Sequence, residues 1–137
     1  MTCKQFLHLS LSILFLSFSA CKKEDLLTGI NNTIELNFGK EATFVDANLN
    51  LLFEEIIEES RCPIGVDCIH AGRVVVQIGV APSNLAIPND AKISLEVDQK
   101  DTLGNIVFTL LEVNPYPVEG SPVPDDQQQL KLQVETL

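Results

Sequence analysis

Arg73-Val74-Val75-Val76-Gln77-Ile78-Gly79-Val80 decides the class of the fold. Val74, Val76, Ile78 and Val80 fall on one face of a period-two repeat, and β-branched side chains at that spacing suit a half-buried pleated strand. The same period recurs on both sides. Upstream, Ile34, Leu36 and Phe38 alternate with polar neighbours in Thr33 to Gly39, and Leu49, Leu51 and Phe53 resume after the turn-prone Asp46-Ala47-Asn48. The stretch Glu54-Glu55-Ile56-Ile57-Glu58-Glu59 also suits a helix, having good helix formers and apolar residues at helical spacing. Because the preceding alternation runs into it without a cap, it is read as strand. Downstream, Ile93, Leu95 and Val97 alternate after a Pro82 to Pro88 connection; Asp101-Thr102-Leu103-Gly104-Asn105 reads as a turn before Ile106, Phe108 and Leu110. Leu130, Leu132 and Val134 form the last strand. About seven short strands separated by Gly, Pro, Asn and Asp predict an all-β, antiparallel β-sandwich-like single domain over residues 33–137.

Ahead of that domain lies a segment of different character. Lys4 is the single positive charge before the apolar stretch Phe6 to Phe18, which is shorter than the roughly 20 residues of a membrane span and fits a signal h-region. It ends in Phe18-Ser19-Ala20-Cys21, followed by Lys22-Lys23-Glu24-Asp25. Small residues before a cysteine at this place resemble a bacterial lipobox. The resemblance implies that residues 1–20 are a removed lipoprotein signal peptide and that Cys21 is lipidated, with residues 21–32 as a tether. Two or three acyl chains of the palmitate type on Cys21 imply a lasting anchor in the outer membrane of a bacterial cell envelope, since one chain alone binds marginally. The lysine-plus-acidic run resembles signals for surface display in one group of Gram-negative bacteria, so both the periplasmic and the surface face stay open.

Removal of the leader takes away Lys4 and no acid, so the nine Lys and Arg fall to eight against 19 Asp and Glu, and the formal charge moves from −10 to −11. The remaining 117 residues suit one domain. So acidic a domain is repelled by phosphate backbones, which argues against nucleic acid as a partner and against membrane contact beyond the lipid itself.

With Cys3 lost in the leader and Cys21 committed to lipid, Cys62 and Cys68 remain. In an exported protein such a pair normally forms a disulfide. Pro63 and Gly65 lie among the five intervening residues and let the chain turn back, while Ala71 and Gly72 admit it to the strand at Arg73 with little bulk.

Ser60-Arg61-Cys62-Pro63, a second cysteine at 68, and Ala71-Gly72 before a Val-rich strand resemble a family of small bacterial envelope lipoproteins and related β domains. Leu111-Glu112-Val113-Asn114-Pro115-Tyr116-Pro117 is similar to that family's second hallmark, a strand ending in a proline loop. The chain departs from the pattern in having Glu59 where Asp is usual and His70 where an aromatic residue is usual. The resemblance implies no catalytic role.

Several readings of the loop stay open beside the structural disulfide. Cys62, Cys68 and His70 are donors suited to zinc or copper, though without a clear fourth ligand. A redox pair would normally place its cysteines two residues apart at a helix start. A clamped loop also binds at little ordering cost, so Arg61, Pro63, Ile64, Gly65, Val66, Asp67 and His70 form a candidate interaction loop for an envelope protein or glycan. Arg61 within Arg61–Cys68 resembles the exposed residue of a protease inhibitor. Hydrolytic chemistry has no support, since His70 is the one histidine outside the leader. Glu54-Glu55 and Glu58-Glu59 are adjacent on a strand, so each pair is expected to split across the sheet as a solvated rim. Asn89-Asp90 and Asp125-Asp126 lack the spacing of a calcium loop. The reading is a non-enzymatic binding or structural module with no cofactor and no resident metal.

Overall fold

The computed structural model describes residues 26–84 and 91–137. The leader, Cys21, the charged run after it and Asn89-Asp90 lie outside the described residues. Among the described residues nine strands follow one another: β1 Leu26–Thr28, β2 Asn32–Asn37, β3 Glu41–Phe44, β4 Leu49–Glu59, β5 Val74–Pro82, β6 Lys92–Glu96, β7 Lys100–Leu103, β8 Ile106–Asn114 and β9 Gln129–Thr136. A 3-10 turn, Asp125–Gln127, precedes β9.

The strands form two sheets, ordered β1-β3-β4-β5-β6 and β2-β9-β8-β7. Every pairing is antiparallel except β1 with β3, which is parallel. Their facing sides enclose one core. Leu51, Phe53, Val76 and Ile78 of the first sheet and Phe108, Leu110, Leu130 and Leu132 of the second have no accessible surface, each such side chain contributing roughly 1.5–3 kcal/mol by leaving water. The alternation read at Val74, Val76, Ile78 and Val80 is therefore a burial pattern, and this β-sandwich is the class the periodicity predicts.

Three β-bulges adjust the phase of the long strands. In β8 the extra residue Leu111 lets Leu110 and Val113 both turn inward, opposite Leu132 and Leu130, while Glu112 pairs with Lys131 outside. In β4 two bulges place Ile56 opposite Val76 and Glu59 opposite Val74. Glu59 thus ends on the inner face of its sheet, where an uninterrupted period of two from Phe53 would also place it, but Glu55 and Ile56 exchange faces. Bulges admit such steps at the cost of one unpaired residue each.

Two readings require correction. Lys100–Leu103 is strand β7, and the turn is confined to Gly104 and Asn105. All four β7 residues are exposed, so no buried face marks the strand in sequence. Leu26–Thr28, inside the stretch read as tether, is strand β1 at the edge of the first sheet. Glu41–Phe44 adds the remaining unforeseen strand, with Ala42 and Phe44 buried.

Candidate functional site at the disulfide-clamped loop

Residues 60–73 join β4 to β5 at one end of the sandwich. Ser60 N–H donates to Arg73 C=O at 2.8 Å and Cys62 N–H to Ala71 C=O at 2.7 Å, so the hairpin continues past both named strands. Gly72 makes this closure possible. Its φ is +69°, and a Cβ there would stand 1.7 Å from the Ser60 carbonyl oxygen, a position no other residue can occupy without moving the backbone.

Beyond the ladder, Cys62 and Cys68 form a disulfide with their Cα atoms 5.9 Å apart. The ring carries Ile64, which docks on the β8–β9 loop: Ile64 N–H donates to Pro117 C=O and Glu119 N–H donates to Ile64 C=O, both at 3.0 Å. Ile64 and Val118 form a parallel bridge. Two loops far apart in sequence are therefore one structural unit.

Arg61 fastens that unit to both sheets. Its side chain is only 9 % exposed. Nε donates to Glu59 Oε1 at 2.8 Å, Nη2 pairs with Glu59 Oε2, and Nη1 donates to Val113 C=O at 2.6 Å. The guanidinium also lies 4.8 Å from the centre of the Tyr116 ring, where the ring's negative face attracts it. A planar fork matched to a carboxylate is a geometry lysine cannot reproduce. Arg61 thus points inward and is not presented as a protease-pocket residue must be, which counts against the inhibitor-like alternative.

Outside the same ladder, Arg73 Nη2 lies 2.7 Å from Glu58 Oε2 and Nη1 lies 3.7 Å from Glu96 Oε2. The Arg73 hydrogen bond, aided by one from Ser60, holds the Glu58 carboxyl below its ordinary value of 4.5. In return Glu58 raises Arg73. Glu58 and Glu59 therefore split across the sheet, but each is engaged by its own arginine instead of forming a merely solvated rim. Glu54 lies 3.0 Å from Lys92 Nζ and accepts from Gln77 Nε2 at 3.2 Å.

A cleft of about 430 Å³ opens beside Arg61, between Arg73 and Val74, Glu96 to Asp98 and Leu111 to Val113, with Tyr116 in its lining. A second, of about 360 Å³, is lined by Arg61, Pro63, Pro117, Pro122 and Gln128. Gln128 is 2 % exposed and its amide oxygen has no donor.

Of the residues picked out in sequence, Ile64 is 60 % exposed and Val66 39 %; Gly65, Asp67 and His70 are also exposed, while Arg61 and Pro63 are half-buried. Ile69, not singled out, is 96 % exposed. The disulfide consumes both sulfurs that the metal reading needs as thiolates. Among the described residues no group of three or more His, Cys, Asp or Glu is arranged to hold a metal ion, and no helix is long and apolar enough to cross a membrane. The Glu59–Arg61–Val113–Tyr116 cluster escaped the sequence reading because its acceptor at Val113 is backbone, carried 52 residues away. Compared with family models, curated proteins and solved structures, the chain matches none.

Proposed function

We propose that this chain is a cell-envelope lipoprotein, held by acyl chains on Cys21, whose sandwich serves as a non-enzymatic binding module and whose contact surface is the loop of residues 61–70. The observation that supports this most is the combination of rigidity and apolar exposure. A disulfide, a backbone bridge and the Arg61 clusters hold a loop on which Ile64, Val66 and Ile69 face water. Isolated exposed apolar residues are ordinary; three on one pre-ordered loop, with Val118 beside them at 46 % exposure, are the signature of a surface built to be covered. One histidine, His70, lies on this loop in solvent, which favours binding over acid–base chemistry.

The experiment is site-specific photo-crosslinking in intact cells that make the full chain. A crosslinkable residue at Ile69 is expected to give adducts that one at Val45, 63 % exposed in the β3–β4 turn, does not. Equal labelling at both positions overturns the assignment of the loop. Palmitate labelling that persists in Cys21→Ser overturns the anchor.

A further inference from the structure

We infer that the 61–70 loop docks on the lipid surface to which Cys21 is anchored, a step that rests on the anchoring reading above and names the partner of the same loop. The argument begins with chain direction. β1 runs parallel to β3, with Leu26 opposite Ala42 and Thr28 opposite Phe44. β3 is antiparallel to β4, with Ala42 opposite Leu51, and β4 continues from there to Glu59 at the base of the loop. Strand β1 therefore points its N-terminal end toward the loop end of the sandwich. The end of β1 at which the chain from Cys21 joins the domain is its loop-facing end.

Length then decides how near they come. Leu26 lies five residues after Cys21, a span of at most about 17 Å even when fully extended. Leu51, level with the start of β1, pairs with Val80, and the ladder runs six more residues along β5 to Val74, about 20 Å at the ordinary strand rise. The loop projects beyond that. The covalent link is thus too short to hold an upright sandwich with its loop clear of the bilayer. With Cys21 at the lipid surface and the N-terminal end of β1 turned toward it, the loop reaches that surface.

The side chains at this end suit that position. Ile64, Val66, Ile69 and Val118 are exposed, and Tyr116, two residues before Val118 on the β8–β9 loop, is 41 % exposed, an aromatic of the kind that favours the membrane–water interface. Asp67 and Glu119 are exposed beside them, and the negative charge that argues against contact with anionic head groups confines the docking to a shallow one on zwitterionic lipid, with the carboxylates in the headgroup layer. Because the anchor already holds the domain in place, the docking is intramolecular and modest apolar contacts suffice.

The test uses the absence of tryptophan from the chain. Ile69→Trp and Val45→Trp, each in the full-length lipidated protein, are reconstituted into vesicles of phosphatidylethanolamine and phosphatidylcholine, with and without brominated acyl chains. Val45 occupies the β3–β4 turn, at the opposite end of β4 from the loop, so the intrinsic preference of tryptophan for interfaces cancels in the comparison. Expected are a blue shift and bromolipid quenching for Ile69→Trp and neither for Val45→Trp. Lipidated protein in which both tryptophans emit as if in water overturns the docking while leaving the anchor intact. A blue shift of Ile69→Trp confined to native envelopes, absent from vesicles, overturns it in favour of a membrane protein partner. Intact mass showing no acyl chains on Cys21 fails the anchoring reading itself.

Discussion

Arg61 donates from Nη1 to the Val113 carbonyl at 2.6 Å while its other edge grips Glu59, so one guanidinium joins the end of β4 to the end of β8 and closes the sandwich where the two long loops meet. Truncation to Ala strands a carboxylate on the inner face and a backbone acceptor together. Arg61→Ala is expected to destabilise the domain by about 3 kcal/mol, with Arg61→Lys recovering only a fraction of it. Urea denaturation measures this; a lysine variant as stable as the parent would show that the fork geometry is immaterial.

Gly72 and Gly104 share a positive φ, +69° and +64°, but differ in surroundings: a Cβ at Gly104 meets nothing within 4 Å. Gly104→Ala should therefore cost about 1 kcal/mol, the ordinary left-handed penalty. Gly72→Ala must also displace the Ser60 carbonyl and should cost more than twice as much. Similar midpoints for the two variants would contradict the close approach.

The disulfide closes a ring of seven residues from Cys62 to Cys68. Loop-closure entropy assigns it about 2 kcal/mol. The Cys62→Ser/Cys68→Ser variant is expected to lose that amount while its far-ultraviolet circular dichroism stays that of the parent, because the β4–β5 ladder does not pass through the bridge. Coincident urea curves would argue that the backbone bridge to Val118 alone orders the loop.

Glu58 supplies a signed pH dependence. Its carboxyl is held below 4.5 by the Arg73 hydrogen bond, then by that from Ser60, so the folded state favours the ionised form. The resulting stabilisation is present above pH 4.5 and disappears as pH falls through the depressed folded value. Glu58→Gln should flatten that acid limb relative to the parent, and the carbon-13 shift of the Glu58 carboxyl should titrate below 4.5. Titration at or above 4.5 would sink the assignment.

Much of the sandwich was legible because its central strands each bury one face. Val74, Val76, Ile78 and Val80 show the period directly, and β4 can be followed through its acidic half because no cap interrupts it. Two short strands were not legible for the same physical reason. β7 buries nothing, and β3 contributes only Ala42 and Phe44. Bulges hid more: Leu111 breaks the alternation of β8 where Val113 turns inward. At the loop, two cysteines announced their pairing through chemistry alone. Arg61 did not, because a charged residue beside a cysteine reads as surface until a carboxylate and a carbonyl from two sheets and an aromatic ring from the β8–β9 loop converge on it.

The parallel pairing of β1 with β3 bears on how the domain carries load. A pull on the chain ahead of Leu26, directed past the β4–β5 loop, runs along the axis of β1. It stretches the pairings at Leu26, Leu27 and Thr28 in shear, all together, where an antiparallel hairpin pulled from its open end would unzip rung by rung. Short as it is, that ladder is oriented as a mechanical clamp.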